Sequence, residues 1–320
     1  MAFIKSSGVI KATAACAIVP LMYARAEAGT WYLNQTIIHD SQERSYDYYV
    51  PDSLNGPRPL VVVLHGNGGS SSFISSCSGI RPLCRFAAEA DSHKFYIVAP
   101  QGLDGENGGA YWNDCRDMAG DTHDDVDFIE QVIDDMGVAY DIEPKRIFAA
   151  GHSNGGAMAL RLAEESSYFS AVASISGGMT TSAASECTHS NVNSTGILMI
   201  NGTDDSFVPY GGGEIQTEIG GYVRPVEDAI SYWVNFNSTD TAPITENLPD
   251  VNTVDSSTVT SYLYGNGDND TAVRLYKVVG GEHSEPGIAE QYPHWIGDYG
   301  VKQNHDIESA EVIWGFFDLH

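Results

Sequence analysis

A strand, a sharp turn and a helix follow one another near the middle of the chain, and this succession constrains the fold most. Residues 146–150 form an apolar run typical of a buried strand, and Gly151-His152-Ser153-Asn154-Gly155 follows directly. Residues 157–164 then have a helical pattern. Small glycines on both sides allow so tight a turn that the Ser153 hydroxyl is exposed above the sheet. The segment therefore predicts a nucleophile elbow within an α/β fold.

Short apolar runs alternate with helical patterns along the rest of the chain, which predicts parallel strands joined by helices. Strands are predicted at residues 30–38, 45–50, 60–64, 95–99, 171–175, 196–200 and 272–278. Helices are predicted at about 80–90, 124–140, 226–236 and 307–319. Three polar stretches are predicted to be loops: 102–121, 209–222 and 238–270. We expect one α/β domain over residues 29–320, with a mainly parallel central sheet and helices on both faces.

The first 28 residues differ from the rest. Lys5 and Lys11 give a positive start, and residues 12–24 are mostly apolar. This run is shorter than the roughly 20 residues that span a bilayer. Small residues suited to a signal peptidase follow at Ala24, Ala26 and Ala28. We therefore expect residues 1–28 to be a secretory signal peptide and the mature protein to be exported.

The charge balance restricts the binding partners. The chain has 16 Lys and Arg against 43 Asp and Glu, a formal net charge of -27. Such a negative field argues against binding to nucleic acid or to an anionic membrane surface. We expect neither as a partner.

Four cysteines remain once Cys16 leaves with the signal peptide: Cys77, Cys84, Cys115 and Cys187. An even number in an exported chain predicts two disulfides. Three pairings are possible, and we favour Cys77 with Cys84 and Cys115 with Cys187. The spacing fits no zinc pattern, so neither a metal nor a cofactor is expected.

A nucleophilic serine needs a histidine base and an acid that orients it, and in this architecture the chain order is Ser, Asp or Glu, then His. Asp204 and Asp205 both follow a predicted strand and satisfy the order. We predict His283 as the base, because small flanking residues after the last predicted strand let its ring reach Ser153. The other histidines in later positions are His294, His305 and His320.

A second turn is predicted to stabilise the negative oxygen of the reaction intermediate. His65-Gly66-Asn67-Gly68-Gly69 follows the predicted strand 60–64. Its glycines favour a tight turn that presents backbone N–H groups. We predict the amides of Asn67 and Asn154 as the oxyanion donors, and a structural hydrogen-bonding role for His65.

Further segments of the chain match motifs of a known protein family. They are Leu64-His65-Gly66, residues 111–116, 124–129 and 146–158, Gly202-Thr203-Asp204-Asp205, Val208-Pro209-Tyr210 and Gly281-Glu282-His283. With these motifs the chain resembles a secreted esterase family that includes polyhydroxybutyrate depolymerases and feruloyl and acetylxylan esterases. The resemblance implies an α/β-hydrolase fold and a catalytic acid at Asp205, through the family pattern G-T-x-D-x-x-V-P-Y. The family often has Trp two residues after the catalytic histidine, whereas this chain has Glu285.

The substrate is predicted from the same resemblance. Tyr111, Trp112 and Tyr210 are candidates for contact with a phenolic acyl group, although aromatic side chains also pack in cores. Polymer depolymerases of the family often carry a binding domain after a linker, and from this sequence we expect neither. We therefore expect a feruloyl or acetylxylan esterase whose ester substrate is carried on a polymer. The alternatives are a polyhydroxyalkanoate or polyester depolymerase, a serine peptidase and a non-catalytic binding protein on a hydrolase fold.

Overall fold

The computed structural model describes residues 28–76, 82–105, 109–116, 123–180, 193–216, 220–289 and 301–320. Within these ranges, ten strands form one large sheet. Their bounds are β1 (Thr30–His39), β2 (Gln42–Val50), β3 (Arg58–Leu64), β4 (Tyr96–Pro100), β7 (Ile142–His152), β8 (Ala171–Ile175), β9 (Gly196–Gly202), β12 (Ile244–Asn247), β13 (Thr258–Tyr264) and β14 (Val273–Val279).

The remaining elements are short strand pairs and helices. The short strands are β5 (Leu103–Asp104), β6 (Ala110–Tyr111), β10 (Gly213–Glu214) and β11 (Tyr222–Val223). The α-helices are α1 (Ser71–Ser75), α2 (Phe86–His93), α3 (Asp125–Ala139), α4 (Asn154–Glu165), α5 (Val226–Phe236) and α6 (Ser309–Phe317). A 3₁₀ turn, Pro82–Arg85, leads into α2.

The order of the sheet is β1-β2-β4-β3-β7-β8-β9-β14-β13-β12. The six central strands, from β4 to β14, pair in parallel. The two strands at each edge pair antiparallel. The predicted mainly parallel sheet is therefore confirmed. Because parallel strands share a direction, the residues that follow β4, β3, β7, β9 and β14 lie along one rim.

Two apolar layers cover the sheet, one on each face. In β3, Leu60, Val62 and Leu64 belong to one layer, and Val61 and Val63 to the other, as the alternation of side chains along a strand requires. The first layer packs against α3, α4 and α5, and the second against α2 and α6. Helices therefore lie on both faces, as predicted.

The prediction of a loop over residues 238–270 is wrong. This stretch contains β12 and β13, which extend the sheet antiparallel beyond β14. The side chains of β12 are all exposed, and those of β13 are buried only at alternate positions near its start. Because β12 is the edge strand and β13 lies next to it, neither is buried on both faces, and the Thr and Ser side chains of β13 break up any continuous apolar run.

Some predictions fall outside the described residues. These include the signal peptide up to residue 27, and Cys77, Cys187 and His294. Cys84 and Cys115 are each disulfide-bonded, while the predicted pairing stays a prediction. In the described ranges, no helix combines the length and the apolar character that crossing a membrane needs.

Candidate active site

Ser153 lies in a strained turn between β7 and α4. Its backbone has φ 57 and ψ -119, a conformation that costs energy for a residue with a side chain. A Cβ at Gly155 would lie 2.4 Å from the carbonyl oxygen of His65, and one at Gly151 would lie 2.3 Å from that of Gly155. Positions 151 and 155, two residues before and two residues after the serine, must therefore be glycine. The backbone strain therefore lies at Ser153 itself, the residue whose hydroxyl projects beyond the rim of the sheet.

A hydrogen-bonded chain joins Ser153, His283 and Asp205. His283 Nε2 lies 2.8 Å from Ser153 Oγ, and His283 Nδ1 lies 2.8 Å from Asp205 Oδ2. The other carboxylate oxygen of Asp205 accepts the N–H groups of Phe207 at 2.9 Å and Val208 at 2.8 Å. With the Nδ1 proton donated to Asp205, Nε2 is left to accept the serine proton.

The structure separates the two candidate aspartates. Asp204 is exposed, and its Oδ1 accepts the Thr203 hydroxyl at 3.0 Å. Asp205 is buried and bonds the imidazole of His283. The later histidines with described positions are bonded elsewhere, His305 to the carbonyl of Gly287 and His320 to that of Phe316.

The loop that carries His283 is fastened to the loop that carries Asp205. The N–H of Gly280 donates to Thr203 Oγ1 at 2.9 Å, and the N–H of Asp204 donates to the carbonyl of Gly281 at 2.9 Å. A Cβ at Gly202 would lie 2.3 Å from the same carbonyl. This close approach holds the imidazole beside the carboxylate.

The predicted oxyanion turn lies beside the serine. A Cβ at Gly66 would lie 3.5 Å from Ser153 Cβ, and the turn is closed by the Gly69 N–H, which donates to the Gly66 carbonyl at 2.9 Å. Among the described residues, the backbone N–H groups of Asn67 and Asn154 donate to no protein acceptor. Both amides therefore stay the predicted donors to a negative oxygen at Ser153.

His65 stabilises this turn from the protein interior. It is buried, its Nδ1 lies 2.8 Å from the Gly66 carbonyl, and its Nε2 accepts the Gly102 N–H at 3.0 Å. These are the structural hydrogen bonds expected from the sequence, and they fix the shape of the oxyanion turn.

The placement of Trp112 corrects its predicted contact with substrate. The residue is 0% exposed, and its indole Nε1 donates to the His65 carbonyl at 2.8 Å. The Asn154 side chain holds the Trp112 backbone at both its N–H, at 2.7 Å, and its carbonyl, at 2.9 Å. A large apolar ring gains most from burial when its N–H finds an acceptor. Trp112 therefore braces the elbow against the oxyanion turn.

Tyr111 and Tyr210 lie in different surroundings. Tyr111 is partly buried in the β5–β6 pair next to Gly102. Tyr210 donates its hydroxyl to Glu227 at 2.8 Å, and Lys277 Nζ lies 4.9 Å from its ring centre. Burial and this carboxylate raise the pKa of Tyr210. In the described ranges no hydrogen bond or ring contact joins Tyr210 to Ser153, Asp205 or His283.

Sequence reasoning missed Phe207. Its ring centre lies 5.3 Å from that of His283, and the residue is 36% exposed. An aromatic surface therefore lies beside the imidazole. The only sequence signal is its position two residues after Asp205.

Glu285 and His152 form a buried pair behind the site. Glu285 is 0% exposed; its Oε2 accepts the Leu83 N–H at 3.1 Å, and its Oε1 lies 3.4 Å from His152 Nδ1. The ring centres of His152 and His283 are 5.1 Å apart. Glu285 therefore faces the protein interior and links the loop of His283 to the residue that precedes Ser153.

Three features together define an α/β-hydrolase: the order of the strands in the sheet, the strained turn at Ser153, and the position of Asp205 and His283 at the same rim of the sheet. The model of the phospholipase/carboxylesterase family matches residues 50–220, more than half of the chain. The chain belongs to this family. In the described ranges, no three His, Cys, Asp or Glu side chains form a group that could hold a metal ion.

Two curated relatives and one solved structure agree with this assignment. The chain is 30% identical to feruloyl esterase C of Emericella nidulans over 173 residues, 53% of this chain and 58% of that one. It is 27% identical to poly(3-hydroxyalkanoate) depolymerase C of Paucimonas lemoignei over 295 residues, 85% of this chain and 66% of that one. The chain thus spans less than two thirds of either relative.

The solved structure is an acetyl xylan esterase from Aspergillus awamori. It superposes with a TM-score of 0.56 at 13% identity, covering 91% of this chain and 100% of that chain. At this identity the similarity establishes the fold. The expected resemblance to esterases and depolymerases, and the α/β-hydrolase fold that it implies, are both confirmed.

Removing the buried carboxylate should destabilise the protein strongly. We expect Glu285→Ala to lower the free energy of unfolding by about 3–5 kcal/mol, because it leaves a buried cavity and deprives the Leu83 N–H and His152 of their partner. Glu311→Ala, at an exposed carboxylate on α6, should change it by less than about 0.5 kcal/mol. Denaturant unfolding of both variants measures the difference. Equal losses would show that Glu285 contributes no buried pair.

Proposed function

We propose that the protein is a secreted serine carboxylic-ester hydrolase, with Ser153 as nucleophile, His283 as general base and Asp205 as the acid that orients the base. One observation carries the proposal: the two 2.8 Å contacts of His283, to Ser153 Oγ and to Asp205 Oδ2, at the strained elbow. This arrangement matches the geometry by which a serine hydroxyl is activated for acyl transfer.

The reaction proceeds through an acyl-enzyme. His283 Nε2 takes the hydroxyl proton while Ser153 Oγ attacks the ester carbonyl carbon. The oxygen that becomes negative is held by the amides of Asn67 and Asn154. When this intermediate collapses, His283 gives the proton to the departing alcohol oxygen. Water then repeats the two steps and releases the acid.

Asp205 keeps the imidazole in the tautomer that the first step needs. Its carboxylate stabilises the charged imidazolium and does not itself take up the proton. Two backbone N–H groups, from Phe207 and Val208, hold the carboxylate in place. The acid therefore acts through His283 and not on the substrate.

We infer that the ester is a feruloyl or acetyl group on plant cell-wall polysaccharide. The exposed part of Phe207 beside His283 offers a stacking surface for a phenolic acyl group. The relationship to a feruloyl esterase supports the same class. The net charge of -27 disfavours a polyanionic substrate.

A polyhydroxyalkanoate is the second candidate. The alignment with the depolymerase of Paucimonas lemoignei extends over 85% of this chain, more than the 53% aligned with the feruloyl esterase. A serine peptidase would use the same catalytic groups, so turnover of a peptide amide distinguishes it. The hydrogen bonds that join Ser153, His283 and Asp205 favour an enzyme over a non-catalytic binding protein.

Export is part of the proposal. The pattern of residues 1–28 supports a signal peptide. Disulfide bonding of Cys84 and Cys115 supports an oxidising compartment.

Removing the nucleophile should abolish turnover but leave the fold intact. We expect Ser153→Ala to lower turnover by a factor of about 10⁴ or more, because no hydroxyl remains to form the acyl-enzyme. Substrates to compare are methyl ferulate, acetylated xylan, hydroxybutyrate oligomers and a peptide amide. Ser231→Ala, on the exposed side of α5, serves as the matched control. Turnover that survives in Ser153→Ala would reject the assignment.

The two neighbouring aspartates offer a matched pair of variants. Asp205→Asn should lower kcat by about 10⁴-fold, because the amide favours the wrong tautomer of His283. Asp204→Asn should change kcat less than about threefold, since in the described part of the chain the Asp204 side chain bonds only Thr203. Steady-state kinetics on methyl ferulate measures both. If Asp204→Asn proves the more damaging, Asp205 is not the acid.

A further inference from the structure

A polar cavity of about 570 Å³ lies beside the oxyanion turn. Its wall includes Gly68 and Gly69 of that turn, and the segment Gln101-Gly102-Leu103-Asp104 that follows β4. The first residues of β2, from Gln42 to Ser45, form the opposite side. The volume falls in the range of about 300–1,000 Å³ that is usual for small-molecule sites.

The sheet order fixes how far this cavity lies from the nucleophile. Ser153 follows β7, the oxyanion turn follows β3, and Gln101 follows β4, and these three strands are parallel neighbours. Neighbouring strands are about 4.8 Å apart, so Gln101 lies about 10 Å from Ser153 along the rim. A ligand part in the cavity would therefore lie next to the ester, on the far side of the oxyanion turn.

The floor of the cavity is polar and already rigid. Arg44 is buried; it donates to Asp125 at 2.8 Å and to the Gln101 carbonyl at 3.2 Å, and its guanidinium lies 3.8 Å from the Phe128 ring centre. Gln101 Oε1 accepts the Ser71 N–H at 2.9 Å. Because these groups are bonded within the protein, the floor needs no rearrangement to receive a ligand.

Three polar side chains at the rim of the cavity are available to a ligand. Gln42, Glu43 and Asp104 are exposed. Within the described residues none of the three side chains is hydrogen-bonded to the protein. Ionised carboxylates only accept hydrogen bonds, so Glu43 and Asp104 require a ligand that donates. They also repel anions, and the buried Arg44 in the floor is already paired with Asp125.

The need for a ligand that donates hydrogen bonds distinguishes the two substrate classes, polysaccharide esters and polyhydroxyalkanoates. A neutral sugar carries several hydroxyl groups, which donate as well as accept. The repeating unit of a polyhydroxyalkanoate carries only ester oxygens, which cannot donate to Glu43 or Asp104. Deepening the proposed function, on which this inference rests, we propose that the cavity is a subsite for a neutral sugar residue next to the ester-bearing one.

A double variant of the rim tests the subsite. In Gln42→Ala/Asp104→Ala, we expect kcat/KM for an acetylated or feruloylated xylo-oligosaccharide to fall about tenfold, mainly through KM, because hydrogen bonds to the sugar are lost. The kcat/KM for methyl ferulate, which has no sugar, should stay within about twofold. The control Glu246→Ala/Asp250→Ala, at exposed residues of the opposite edge of the sheet, should change neither.

The subsite proposal is overturned if the rim variant loses kcat/KM equally on the xylo-oligosaccharide ester and on methyl ferulate. It is also overturned if kcat/KM falls on neither ester. A comparable loss on hydroxybutyrate oligomers would overturn it as well, because these lack sugar hydroxyls.

A binding measurement separates the subsite from the proposed reaction. Calorimetric titration of Ser153→Ala with a neutral xylo-oligosaccharide reports binding without turnover. Binding that weakens about tenfold when the two rim substitutions are added supports the subsite even if no ester is cleaved. Absence of binding contradicts the subsite, whereas absence of ester turnover by the unmodified protein contradicts the proposed function.

Discussion

The close approach of the chain to itself around Ser153 is the constraint on which the rest of the site depends. The elbow holds a non-glycine residue at φ 57 and leaves no room for a Cβ at Gly151 or Gly155. Because the turn is so tight, the serine is displaced from the sheet while the first turn of α4 lies directly behind it. The amide of Asn154 then occupies the start of that helix, where N–H groups have no partner within the helix.

Buried polar contacts maintain this strained arrangement. On one side Asn154, Trp112 and His65 form a continuous set of hydrogen bonds from the elbow to the oxyanion turn. On the other side Glu285 joins the loop of His283 to His152 and to the backbone of Leu83. Polar groups are costly to bury unless they are paired, and fully paired networks fix one geometry. Ser153 and His283, the proposed nucleophile and base, are thus positioned by neighbours outside the proposed triad.

Much of the fold could be predicted from the sequence because the central strands are buried on both faces and consist of continuous apolar runs. Strand β13 lacks such a run, because it lies next to the edge strand, is only partly buried and carries Thr and Ser side chains. Asp204 and Asp205 could not be separated by residue type or spacing, only by resemblance to a family. The contacts of Phe207 and Glu285 depend on the folding of distant segments, and nothing local to either residue indicates them. Trp112 was misjudged because an aromatic residue near the rim suits either a cleft or a core.

Covalent labelling tests the central claim most directly. An organophosphonate reacts with a serine hydroxyl only where a base removes its proton and donors hold the negative oxygen. If the account is right, peptide mass analysis will find one adduct per chain, on Ser153, and His283→Ala will lose the labelling while remaining folded. An adduct on another serine, or unchanged labelling of Ser153 in His283→Ala, would contradict it.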